Sequence, residues 1–199
     1  MYKSSRMFMP TYVLIALNVA VYAYTSLLSG SFLETNENVL YQYGQVNGLV
    51  MQGWYWQLLT AMFVHVTIIH LVGNMLFLFI FGLRAEEMFD IKEYLLIYFL
   101  SGLAGNLLSL LLGPYMVSAG ASGAIFGMFG AVTVYVRRTI GQSILGALIF
   151  SFFLLVISAG FGVNVIAHLG GLAIGLLIGY FLGATHKPRT IREHSYSYQ

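Results

Sequence analysis

Six apolar runs, at about 10–29, 57–83, 93–113, 121–136, 142–160 and 163–184, occupy most of this 199-residue chain. A helix needs roughly 20 apolar residues to cross the hydrocarbon core of a bilayer, and these runs are of about that length. With 59% hydrophobic residues, 8% charged residues and a mean hydropathy of +0.82, no soluble domain of this size could hide the apolar surface. The runs are continuous rather than alternating, which predicts helices and excludes a membrane barrel. The expectation is an all-α, polytopic bundle of six transmembrane helices at 10–184. A tail at 1–9, a tail at 185–199 and one long connection at about 30–56 lie outside it.

Charge sets the expected orientation. The Lys and Arg residues are Lys3, Arg6, Arg84, Lys92, Arg137, Arg138, Lys187, Arg189 and Arg192. With six spans, all of them fall on the side of the N-terminus, which the positive-inside rule makes cytoplasmic. Residues 30–56, 114–120 and 158–162 contain neither Lys nor Arg and form the outer loops. The net charge of +2 therefore reflects topology and gives no sign of a nucleic-acid partner. Residues 10–29 are too long for the apolar core of a signal peptide, and removing them would spoil the charge alternation. There is no cysteine, so disulfides and Cys-based metal or nucleophile sites are excluded.

The first outer loop carries Glu34 and Glu37 and then Tyr41, Tyr43, Trp54, Tyr55 and Trp56. Trp and Tyr favour the headgroup layer, which predicts a membrane-associated loop; a plain aromatic belt would look the same. Thr67 is the expected N-cap of the second span, leaving 57–66 to the loop. His70 and Asn74, four apart, share a face of that span. Gly113-Pro114 ends the third span, and the fourth opens near Ser122. On the sixth, His168, Gly171, Gly175 and Gly179 form one stripe; Gly123, Gly127 and Ala131 offer a matching stripe on the fourth. Small residues let helix backbones approach closely, so these two spans are expected to bring Ser122 and His168 together. Spans two, four and six all run inward, which sets Asn74, Ser122 and His168 at a similar depth near the outer face.

A serine and a histidine so placed suit hydrolysis. Ser122 would attack a carbonyl, and His168 would take its proton and return it to the leaving group. The Ser122 amide at a helix N-terminus, with His70 and the Asn74 amide, would hold the oxyanion. No acid lies in the middle of a span, so the expectation is a dyad without a carboxylate. Taken singly, each residue has a plainer reading: a serine in helix packing, or an interhelical hydrogen-bonding histidine. His65 and His70, five apart with no acid or Cys beside them, make a poor metal site, and no cofactor is implied. Proton-coupled transport is the rival function for buried His and Asn. Small size, no buried acid and no inverted repeat speak against it.

Together these motifs resemble the rhomboid intramembrane serine proteases. The likeness rests on His65-x4-His70-x3-Asn74, Gly120-Ala121-Ser122-Gly123 and Ala167-His168-Leu169-Gly170-Gly171, in order and on matching spans, and extends over about 10–184. It implies Ser122 as nucleophile, His168 as base, and His70, Asn74 and the Ser122 amide as oxyanion hole. It also implies that Phe126 packs on the catalytic histidine and that His65, Gly120 and Gly123 support the site. Glu86 would anchor the cytoplasmic loop by hydrogen bonds. The implied partners are the bilayer and single-span membrane-protein substrates, cut near the outer face. A non-proteolytic relative that binds membrane proteins is the alternative. The glycines of the loop at 158–162, after the fifth span, suit a cap that lifts while the span tilts as a gate; an ordinary short turn would look the same. The chain departs from the family at Trp56-Gln57, where Trp-Arg is frequent, and at Glu87, where a glycine often follows the acid.

Overall fold

The computed structural model describes residues 9–141 and 164–185, with residues 143, 145, 146 and 149 between them. The gating expectation on the fifth span and its loop falls outside the described residues, as do most of both tails.

The described chain is a helical bundle with one small ribbon. In order it comprises α1 (Pro10–Ser29), α2 (Glu37–Tyr43), β1 (Gln45–Val46), α3 (Asn47–Met51), α4 (Gln57–Thr60), α5 (Ile68–Met88), α6 (Ile91–Ser109), β2 (Val117–Ser118), α7 (Ser122–Ile140) and α8 (Val165–Thr185). Local chemistry sets the ends. Pro10 begins α1 where its missing N–H costs nothing, and Gly30 ends it in the left-handed region at φ 67°. The Thr67 hydroxyl accepts the His70 N–H and starts α5 at Ile68, as its sequence position predicts. Asp90 and Glu93 form a reciprocal capping box that opens α6.

Four helices among the described residues are long and apolar enough to cross a membrane: Pro10–Ser29, Ile68–Met88, Ile91–Leu112 and Val165–Thr185.

 The third of these runs from Ile91 through the end of α6 and a closing 3-10 turn to Leu112. α7 is as long but less apolar, because it lies inside the bundle. Every residue from Gly123 to Val132 is buried, and α5, α6 and α8 all pack on it. A helix enclosed by protein needs small and well-packed residues, not the uniform hydrophobicity that lipid demands.

The glycine stripes work as the sequence predicts. A Cβ added at Gly171 would collide with the Gly123 carbonyl, at Gly175 with that of Gly127, and at Gly179 with that of Ala131. On the other side of α8, Gly105 of α6 packs on the Ala167 carbonyl. Backbone thus touches backbone along the full contact between α7 and α8.

The first outer loop is folded rather than draped, and here the all-α expectation needs amending. β1 pairs antiparallel with β2, Gln45 opposite Ser118 and Val46 opposite Val117. Glu34 forms an isolated bridge to Thr67, and the Thr35 hydroxyl donates to the His65 carbonyl at 2.8 Å. Gln57, which stands where the family often has Arg, is fully buried. Its Oε1 accepts the Val46 N–H at 2.9 Å and its Nε2 donates to the Tyr41 carbonyl at 2.8 Å. One amide side chain therefore ties α4 to both α2 and β1.

Candidate active site

The site is assembled from the N-terminal parts of α5, α7 and α8. Ser122 is the first residue of α7, so the N–H groups beside it belong to a first turn that has no intrahelical acceptors. The approach to it needs glycine: Gly120 has φ 126°, a conformation that side chains rarely adopt. A Cβ there would also sit 2.7 Å from His70 Cε1 and 3.5 Å from Asn74 Nδ2. The Gly120 N–H donates to the Ala61 carbonyl at 2.8 Å, which holds the turn against the loop before α5.

α8 delivers the histidine. His168 Nε2 and Ser122 Oγ are 2.7 Å apart, within hydrogen-bond distance. The imidazole is 3% exposed, and Phe126, one turn beyond Ser122, stacks on it with ring centroids 4.6 Å apart at 21°. Helix packing, one hydrogen bond and one ring face thus determine where the imidazole sits.

α5 supplies the other polar groups. His70 and Asn74 lie one turn apart, and both reach the backbone at Gly120. Asn74 is buried, and its Nδ2 has no hydrogen-bond partner among the described residues. A buried donor without a partner is costly in a folded protein, and this one lies beside the turn that presents Ser122. His65 is buried edge-on to His70, centroids 5.2 Å apart, with Nδ1 3.2 Å from the Phe63 carbonyl. It backs His70 rather than reaching the serine. Gly123 sits under Ala167 and opposite Gly171, where α7 and α8 touch backbone to backbone.

The sequence of this chain is matched by known proteins. The family model for the Rhomboid domain covers residues 52–185. The chain belongs to the rhomboid family. It is 37% identical over 187 residues to "Rhomboid protease GluP" of Bacillus subtilis (strain 168), covering 87% of this chain and 34% of that protein. It is 37% identical over 169 residues to "RHOMBOID-like protein 6, mitochondrial" of Arabidopsis thaliana, covering 81% and 55%. It is 34% identical over 176 residues to "Rhomboid-like protease 3" of Toxoplasma gondii, covering 82% and 65%. The chain therefore spans less than two thirds of the length of each of these relatives.

Within this rhomboid domain Glu86 lies away from the outer groups. Its Oε1 accepts the Thr11 N–H at 2.8 Å, and Thr11 Oγ1 is 2.9 Å from the Tyr94 hydroxyl. The carboxylate thus caps the start of α1, a tie between helices that the loop-anchor expectation did not include. Two further residues escaped the sequence reading. In the sequence Gln57 stands out only as a departure from Trp-Arg, and Asn164 belongs to none of the three motifs. An Asn immediately before an apolar run is a readable N-cap signal, and it stands four residues before His168.

Proposed function

We propose that this chain is an intramembrane serine endopeptidase that works through a Ser122–His168 dyad. The 2.7 Å approach of His168 Nε2 to Ser122 Oγ carries the reading, and membership of a family that includes a named protease supports it. In this mechanism the imidazole takes the Ser122 proton as Oγ attacks a peptide carbonyl, then protonates the departing amine. Water, activated by the same histidine, releases the acyl group. The Ser122 amide, His70 and the Asn74 side chain hold the oxyanion as it forms. Phe126 keeps the ring facing the serine.

The bilayer places two demands on this chemistry. A helical substrate hides its carbonyls, and lipid offers no water. The domain would therefore cross the membrane six times with both termini cytoplasmic, opening the site towards the outer face. Single-span membrane proteins would enter there and be cut within or just beyond the outer half of the span. Gly, Ala or Ser near the cut should matter, since Gly and Ser unwind more readily than Leu; if Leu replacements leave the rate unchanged, local unwinding is not required.

The test is cleavage of a single-span substrate co-reconstituted with the protein in lipid vesicles. Wild type should release a product cut near the outer face, and Ser122→Ala should release none. Equal processing by both would remove Ser122 as nucleophile, and no processing by folded wild type would favour a binding or transport role.

A further inference from the structure

The polar groups of the site do not explain why two residues 46 apart in sequence, on different helices, meet at hydrogen-bond distance. Glycine packing sets how closely α7 and α8 approach, but it leaves their register free to slide. A second polar cluster lies just outside the site, at the start of α8. Asn164, Ser109 and Ser118 are all buried, at 8%, 0% and 9% exposure.

Asn164 uses both ends of its amide. Its Oδ1 accepts the Ala167 N–H at 3.0 Å, capping the helix that carries His168. Its backbone carbonyl accepts the His168 N–H at 3.3 Å. Because an N–H must meet an oxygen, the cap also fixes the amide's orientation, so Nδ2 faces the two hydroxyls. One Nδ2 hydrogen goes to Ser118 Oγ at 2.7 Å and the other to Ser109 Oγ. Ser118 sits in β2, four residues before Ser122, and pairs across to Gln45. Ser109 ends α6, and the Asn47 side chain of the first loop donates to its carbonyl at 2.7 Å.

We infer that Asn164 is a positioning residue for the dyad, clamping the first turn of the His168 helix to the strand that delivers Ser122. This rests on the reading of Ser122 and His168 as nucleophile and base. Asn164 touches neither reacting atom. It ties together the two segments that carry them, in the one direction that the glycine stripe leaves free. The first outer loop joins the clamp through Asn47 and Gln45, so the loop's fold bears on catalysis without contributing a group to it. A register error of about 1 Å is enough to cost on the order of 100-fold in rate.

The experiment compares wild type, Asn164→Ala, Asn164→Asp and Ser118→Ala in detergent. It reads kcat and KM on a transmembrane substrate, the rate of fluorophosphonate labelling, and the thermal midpoint. Asn164→Ala should lower kcat and the labelling rate by at least about 10-fold, with KM within about two-fold of wild type. Asn164→Asp keeps the cap and can accept both serine hydroxyls, so it should restore most of the loss. Asn164→Ala with kcat within two-fold of wild type would overturn the inference. So would a loss that Asp does not rescue and that merely tracks a lower midpoint. If Asn164→Ala fails to fold, Ser118→Ala decides, since it leaves the helix cap intact: reduced kcat supports the clamp, unchanged kcat overturns it. If wild type itself takes no label, the protease reading fails on its own. Crystal structures of the variants then still judge the clamp: a Ser122–His168 separation above 3.5 Å supports it, and one that stays at 2.7 Å overturns it.

Discussion

Replacing Gly171 by alanine should disable the site from three residues away. Gly171 shares a stripe with His168, and its missing side chain is where the Gly123 carbonyl lies. An added methyl needs about 3.5 Å to its neighbour. The obstacle is helix backbone, which cannot rotate aside as a flexible side chain would. α7 and α8 must therefore separate by on the order of 1 Å. The 2.7 Å contact between His168 Nε2 and Ser122 Oγ would stretch beyond about 3.5 Å, where a hydrogen bond no longer exists. Misplacement of this size lowers rates by roughly 100-fold, and overpacking costs about 1–3 kcal/mol of stability. Gly73 on α5 is the matched control, with no atom of the described residues within 4 Å of an added Cβ. Gly73→Ala should leave kcat unchanged and gain up to about 1 kcal/mol from helix propensity. Both variants are read by substrate cleavage and by reversible unfolding in mixed micelles. If Gly171→Ala retains kcat within two-fold of wild type, backbone contact between α7 and α8 does not set the dyad.

Asn74→Ala should lower kcat by about 10²–10³-fold with little change in stability, because its Nδ2 has no hydrogen bond to lose among the described residues; steady-state kinetics beside a melting curve check this. Gln57→Ala strands the Val46 N–H and the Tyr41 carbonyl and should destabilise the protein by about 1–3 kcal/mol in equilibrium unfolding; a change below about 0.5 kcal/mol would show that the loop holds without it. Glu86→Ala removes the acceptor for the Thr11 N–H and should cost about 1 kcal/mol, as the loss of a helix cap does. Glu86→Gln, which keeps an oxygen acceptor, should recover most of it, and failure to do so would mean that the negative charge matters more than the bond.

The parts of this fold that were legible in the sequence are those with local or periodic causes. Thr67 as a cap, His70 and Asn74 on one face, and the two glycine stripes each follow from helical spacing. The approach of Ser122 to His168 followed from those stripes. The first outer loop was not legible. The pairing of Gln45 with Ser118, the crosslink by Gln57 and the bond from Thr35 to His65 join residues far apart in sequence. Such bonds leave no periodic trace, because each needs only one polar residue at one place. The triangle of Ser109, Ser118 and Asn164 was hidden for the same reason, although Asn164 alone could have been read as a cap. α7, legible as the run at 121–136, owes its modest hydropathy to burial in protein rather than in lipid.

The most direct test of the central claim is fluorophosphonate labelling of the purified protein, with the modified residue mapped by mass spectrometry. Labelling at Ser122 that disappears in both Ser122→Ala and His168→Ala is the expected result, since only a serine activated by its base reacts at a useful rate. Equal labelling of wild type and Ser122→Ala would contradict the account.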